Sequence, residues 1–359
     1  MRPPAKFRSV CSRWAVIFFC FAGLDATQQI GSGAGCVGVY RAVDTRSGRV
    51  VAVKAVDRAS HADTRWKHSF QREIDIASKL RHPNVIELVD VVAWQNYVCL
   101  VMECASGGEL FQVVADSGAV SEDIARVYFL QILSAVEYCH SCGVCHRDLK
   151  LENILLSEKG SQLVKITDFG MSKDTEQHSI PKTKRVGTAS YMAPEVSMAS
   201  VATPYDGTAA DVWSLGVILY VLVCCDYPFG FDGAEGVSTH HVLARVAKGK
   251  FQFPDQVSSG VSLSAELKSL VMGMLTVDTS QRLTIAQIAA HPWSTAGHYV
   301  PDATIAESST MAIDWAAMGE ESMSSDKPLM SLGSFASPDE FGYDLARLDS
   351  SDPILDDAF

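Results

Sequence analysis

The sequence predicts an α+β protein with room for two compact units, and three observations carry that prediction. A glycine-crowded stretch, IGSGAGCVGVY (Ile30–Tyr40), runs into two β-branched segments. A long apolar segment, VWSLGVILYVLVCC (Val212–Cys225), is short for a membrane span and has the length of a buried core helix. A chain of 359 residues, 47% hydrophobic and 20% charged, can bury a large core.

Residues 1–26 are expected to form an N-terminal extension. Arg2, Lys6, Arg8 and Arg13 precede the apolar run WAVIFFCFAGL (Trp14–Leu24), which is the order of a signal peptide. Cleavage near Ala26 would leave almost no chain ahead of the glycine turn, so a retained extension, a first strand of odd composition or a misplaced start codon stands beside targeting. Eleven apolar residues are too few for an ordinary membrane span, and no stable membrane insertion is expected.

The glycine turn comes next, and two unrelated folds use a G-x-G-x-x-G turn. A dinucleotide-binding unit starts a helix at the third glycine. Here the chain reads VGVYRAVDTRSGRVVAVKAV, with Val37, Val39, Val43, Val50, Val51 and Val53 β-branched and TRSG (Thr45–Gly48) as a turn. That pattern is an antiparallel hairpin. In a hairpin the glycine turn folds over a nucleotide as a lid, and Lys54 on the second strand can point at its phosphates.

From VAVK (Val51–Lys54) onward the chain resembles a eukaryotic protein kinase. The motifs follow in order: the helical segment HSFQREIDIASKLRHPNV with Glu73, the strand and hinge YVCLVMECASGGELF (Tyr97–Phe111), HRDLKLEN (His146–Asn153), KITDFG (Lys165–Gly170), GTASYMAPE (Gly187–Glu195), DVWSLGVILY (Asp211–Tyr220), and QRLT before HPW, ending at Trp293. The resemblance implies a two-lobed kinase domain over residues 27–293. The N-lobe (27–103) would be small and antiparallel β with one major helix, and the C-lobe (107–293) larger and mainly helical. MgATP would lie in the cleft between them.

The resemblance also implies roles. Lys54 would pair with the α- and β-phosphates and be held by Glu73. Asn153 and Asp168 would ligate Mg²⁺, Asp148 would accept the proton of the substrate hydroxyl, and Lys150 would lie near the γ-phosphate. Counted back from Lys54, Gly33-x-Gly35-x-x-Gly38 matches the glycine loop, while Ile30 and Gly31 offer the start of a loop two residues longer. Met102, Glu103 and Cys104 would hold adenine. Glu109 would meet either the ribose or, with Glu152, arginines two or three residues before the acceptor. Lys150 and Thr188 point to a Ser or Thr acceptor in protein substrates. Arg147 calls for an anion, which phosphorylation at Ser179 or Thr183 by an upstream kinase would supply and a phosphatase would remove. Glu195 is expected to pair with Arg282 in a buried structural contact.

Within the family, REI, SGGELF, CHRDLKLEN, DFGMSK, HSIPK and VGTASYMAPEV with YDG most resemble the plant sucrose-nonfermenting-related kinases of the osmotic-stress group, with the calcium/calmodulin-dependent superfamily next. Stress or nutrient signalling is the implied setting. Two other readings compete. A pseudokinase scaffold usually loses the lysine or one of the two aspartates, whereas Lys54, Asp148, Asn153 and Asp168 all stand here. Cys142-Gly-Val-Cys145-His146 matches a haem-attachment pattern, although the kinase reading already uses His146 and puts Cys145 on a strand entering the catalytic loop.

Composition bounds the partners. A net charge of −12 argues against general affinity for nucleic acid or an anionic membrane. Residues 294–359 hold thirteen Asp and Glu against Lys327 and Arg347, so this tail carries −11 and the body is nearly neutral. The tail is expected to be acidic and largely disordered, with MAIDWAAM (Met311–Met318) either a short docking helix or part of a flexible run. Nothing basic and amphipathic follows Trp293 to recruit calmodulin. Ten cysteines in so long a chain suggest reduced thiols in the cytoplasm or nucleus.

Overall fold

The computed structural model describes residues 24–31, 36–57, 64–94, 97–169, 173–174, 189–199, 205–231, 237–255 and 262–296. Gly33, Gly35, Ser179, Thr183, Thr188, the first 23 residues and the acidic tail from residue 297 lie outside the described residues. The chain divides into two compact units. Among the described residues, one comprises 24–57 and 88–104 and the other 64–87 and 105–296.

The smaller unit is a five-stranded antiparallel sheet in the order β1-β2-β3-β5-β4. Its strands are β1 (Leu24–Gly31), β2 (Gly38–Asp44), β3 (Val50–Asp57), β4 (Leu88–Trp94) and β5 (Tyr97–Glu103). Burial alternates along β2, and Tyr40, Ala42, Val51, Val53, Ala55, Cys99 and Val101 form one apolar core. The expected β2–β3 hairpin is present. Its turn is built by Asp44, whose carboxylate accepts from the Arg46 and Ser47 backbone N–H groups and the Ser47 hydroxyl. Gly48 then turns the chain at φ 72°.

The expected domain start at residue 27 moves to 24. Leu24 pairs with Asp44 and is buried in the sheet core, so the end of the apolar run belongs to the first strand. Strand β1 also passes through Ile30 and ends at Gly31, opposite Val39, with register shifts on the way.

The larger unit begins with α1 (Thr64–Lys79). This helix starts before the HSFQ segment that announced it and stops ahead of Pro83, because the residue before proline disfavours helical backbone. Ile76 and Leu80 lie in one apolar core with Leu110 and Phe129. Behind it, Asn84 donates to Gln131 Oε1 (2.9 Å) and the Val164 carbonyl (2.8 Å), and Lys165 Nζ donates to the Pro83 carbonyl (2.9 Å). These buried bonds tie the segment after α1 to the helical unit.

Next come α2 (Leu110–Ser117), α3 (Glu122–Ser141), β6 (Val144–Cys145), β7 (Ile154–Leu156), β8 (Val164–Ile166), β9 (Lys173–Asp174) and α4 (Pro194–Met198). Strand β6 pairs with β9, and β7 with β8. Helix α5 (Gly207–Cys224) starts at the Asp206 cap, whose side chain accepts from the Thr208 N–H. It is long and apolar enough to cross a membrane, with mean hydropathy 1.7, but 83% of it is buried inside the protein. The core-helix expectation therefore stands. Helices α6 (Thr239–Lys248), α7 (Ala265–Met274), α8 (Ile285–Ala289) and α9 (Pro292–Thr295) complete the unit.

One side chain locks the end of this unit. Glu122 accepts from the Ser264 N–H (2.6 Å), the Ser264 hydroxyl (2.7 Å) and Trp293 Nε1 (2.9 Å). Arg126 lies over the Trp293 ring at 4.8 Å and donates to the Trp293 carbonyl, and the ring meets Phe129 edge-on.

Candidate active site

Among the described residues, the segment from β6 to β7 gathers a dense set of polar side chains in the larger unit. It begins with Asp211 on α5, which is 1% exposed. Asp211 Oδ2 accepts from His140 Nε2 (2.8 Å) and the His146 N–H (2.9 Å), and Oδ1 accepts from the Arg147 N–H (2.8 Å). These bonds hold Arg147 in a left-handed conformation at φ 69°, which a non-glycine residue keeps only when its surroundings enforce it. Gly207 lets α5 approach: a Cβ there would meet Cys145 Sγ at 2.9 Å.

The turn at Arg147 sets the residues that follow. His146 Nε2 donates to the Thr167 carbonyl (3.1 Å), Nδ1 accepts the Asp148 N–H (3.3 Å), and the ring meets Phe169 edge-on. Lys150 Nζ donates to Asp148 Oδ2 at 2.8 Å. Asn153 Nδ2 donates to the same oxygen (3.1 Å) and to the Asp148 carbonyl (2.8 Å). The Thr167 N–H bonds the Asn153 carbonyl (2.9 Å), which brings the residue before Asp168 beside the loop. Asp168 also has left-handed backbone, at φ 65°.

This donor set suits a hard cation. The Asn153 amide has its NH₂ committed to Asp148, so its oxygen is turned away from Asp148, and Asp168 adds a carboxylate. Oxygen ligands of this kind match Mg²⁺.

Beside the loop, Glu152 Oε2 is buried with no hydrogen-bond partner among the described residues. Burial pushes the Glu152 carboxyl above the usual range, and Glu109 adds to the shift while Lys150 and Tyr191 oppose it. Glu109 heads α2 without using its side chain as a cap. Arg147 Nε donates to the Tyr205 hydroxyl at 3.1 Å. The expected Glu195–Arg282 contact is present and bidentate at 2.6 and 2.9 Å, with Arg282 buried.

In the smaller unit, Lys54 lies on β3 opposite Val39 and Leu100, between the buried Val53 and Ala55. Met102 and Glu103 end β5, and Cys104 follows, its thiol pushed up by burial. Ile30 and Gly31 end β1, and Gly38 opens β2. Glu73 lies on α1, in the larger unit.

The geometry removes the haem reading. Cys142 is exposed at the end of α3, Cys145 is buried on β6, and both ring nitrogens of His146 are engaged, by the Thr167 carbonyl and the Asp148 N–H. His140, Cys145 and Asp211 cluster within 4.8 Å, but the Asp211 carboxylate is taken up by three donors and burial pushes the Cys145 thiol far up. That cluster shapes the loop. Asp211, Tyr191 and Gly207 lie in DVWSLGVILY, GTASYMAPE and YDG, motifs that by themselves assign these three residues no task.

Comparison with known proteins gives the class. A family profile described as protein kinase domain matches residues 24–294, and the chain belongs to that family. It is 43% identical over 262 residues to serine/threonine-protein kinase SAPK3 of Oryza sativa subsp. indica, covering 73% of this chain and 75% of that protein. Over 270 residues it is 42% identical to SAPK9 of Oryza sativa subsp. japonica, covering 75% and 71%. With SRK2E of Arabidopsis thaliana it shares 41% over 262 residues, covering 73% and 69%. The chain is an ATP-dependent serine/threonine protein kinase of the plant sucrose-nonfermenting-related, osmotic-stress type.

Proposed function

We propose that the β6–β7 segment is the catalytic loop of this kinase and that Asp148 accepts the proton of a substrate Ser or Thr hydroxyl. The convergence of Lys150 and Asn153 on one oxygen of Asp148 carries this reading, because it leaves Oδ1 for the incoming hydroxyl. Lys150 offsets charge on the transferred phosphoryl group. Asn153 and Asp168 hold Mg²⁺, which supplies charge neutralisation on the phosphates when bound. Lys54 pairs with the α- and β-phosphates. Met102, Glu103 and Cys104 hold adenine, and the turn containing Gly31, Gly33, Gly35 and Gly38 covers the phosphates.

Substrates carry basic residues near the acceptor. The charge of Glu109 acting on Glu152 supports this, since two nearby carboxylates favour a cation between or beside them. The enzyme is switched on by phosphorylation at Ser179 or Thr183, with Thr188 a further regulatory residue, and acts in stress signalling in the cytoplasm or nucleus. Arg147 supports the switch: Nε is held by Tyr205, which leaves the rest of the guanidinium for a phosphate.

The test is phosphate transfer from MgATP to a basic Ser/Thr peptide set by intact protein, by Asp148→Ala, and by protein treated with phosphatase. Asp148→Ala is expected to lower kcat by roughly 10²–10⁴-fold. Phosphatase is expected to remove most activity. MgATP binding with no transfer by protein phosphorylated at Ser179 or Thr183 would replace this reading with a scaffold.

A further inference from the structure

The start of α5 holds Arg147 twice. Asp211 Oδ1 accepts its backbone N–H (2.8 Å), and Tyr205, directly ahead of the Asp206 cap, accepts from its side chain: Nε donates to the Tyr205 hydroxyl at 3.1 Å. The direction of that second bond is fixed, because a guanidinium has donors and no acceptor. The Tyr205 hydroxyl therefore keeps its own proton to give. Burial pushes the Tyr205 phenol up by more than the Arg147 charge pulls it down, so the proton stays on the oxygen. Tyr191 and Ser214 line the same cavity but are committed elsewhere. Ser214 Oγ donates to the Tyr191 carbonyl (3.0 Å), and the Tyr191 hydroxyl pairs with that of Tyr227 (3.2 Å). Among the described residues the Arg147 side chain bonds Tyr205 alone, and the nearby carboxylates are already answered, Asp211 by three donors and Asp148 by Lys150 and Asn153.

We propose that Tyr205 completes a phosphate site with Arg147: it holds Nε so that the two terminal nitrogens of the guanidinium meet a phosphate as a pair, and it donates its own hydroxyl proton to the same group. This rests on the reading of Arg147 as the partner of a phosphate on Ser179 or Thr183. A phosphate has more acceptor oxygens than the two a paired guanidinium takes, and the next falls to a neutral donor. Accepting from a cation polarises the Tyr205 hydroxyl, which makes it the stronger donor.

The experiment measures kcat on one basic serine peptide for protein phosphorylated at Ser179 or Thr183 and for the same protein after phosphatase, and takes the ratio. Arg147→Asn, a residue that tolerates left-handed backbone, is expected to bring the ratio close to one. Tyr205→Phe keeps the ring and is expected to lower the ratio roughly tenfold, as loss of a hydrogen bond to a charged group does. Tyr220→Phe removes a remote hydroxyl bonded to the Gln252 carbonyl and keeps the ratio. Phosphorus NMR reads the site without activity. The phosphoester of the unaltered protein is expected to titrate below its ordinary value of about 6, because both donors favour the dianion, and Tyr205→Phe moves it back up.

A merely structural role for Tyr205 slows both forms alike and leaves the ratio and the phosphorus titration where they were, which overturns the proposal and spares the Arg147 reading. A ratio close to one in the unaltered protein, or one that stays large in Arg147→Asn, overturns the Arg147 reading, and the inference falls with it.

Discussion

Asp211 shows what a single side chain does here. Its three hydrogen bonds reach His140, His146 and Arg147, and through Arg147 they fix the backbone that presents Asp148. Asp211→Asn presents an NH₂ group toward donors and leaves at least one buried N–H unpaired. It is expected to destabilise the protein by about 2–4 kcal/mol, read as a lower denaturant midpoint, and to reduce kcat with it. Residues such as Asp148, Lys150 and Asn153 were legible in sequence because they lie within six positions of one another in a single motif. Asp211 and the Tyr191–Tyr227 pair were not, because their partners lie 65 and 36 residues away and only folding joins them. The signal was present in DVWSLG and GTASYMAPE, but the sequence gives no register between distant motifs.

Among the elements, those with local causes were legible. The β2–β3 turn follows from Asp44 and Gly48, and α5 from its apolar run and the Asp206 cap. Strand β1 was obscured because its first residue ends an apolar run that also fits a targeting segment. Helix α3 is held to α7 and α9 by Glu122, whose loss strands three donors. Glu122→Ala is expected to cost about 2–4 kcal/mol, seen as a lower Tm, and Glu122→Gln less, because an amide oxygen still accepts.

For the whole molecule, the division into two units was legible from length and motif order, while the acidic tail, Gly33 and Gly35 lie outside the described residues. Stability should depend on pH through His82. Burial, then the Lys165 charge, lowers its pKa below the ordinary value of about 6.5. Its Nδ1 accepts the Asn84 N–H and its ring stacks on Tyr138. Below pH ~6.5 the unfolded chain takes up a proton that the folded chain refuses, so this contribution is present above that pH and is lost as pH falls toward the folded pKa. His82→Gln is expected to flatten the slope of denaturation midpoint against pH just below 6.5; an unchanged slope would show that His82 is not its source. The Glu122–Trp293 lock has a consequence in time. Its partners are 171 residues apart, and at ~5–20 residues per second a ribosome needs roughly 10–30 s to make the second after the first. During that interval the nascent helical unit has its opening half without its clasp, and Phe129 and Glu122 are the surfaces a chaperone would find uncovered.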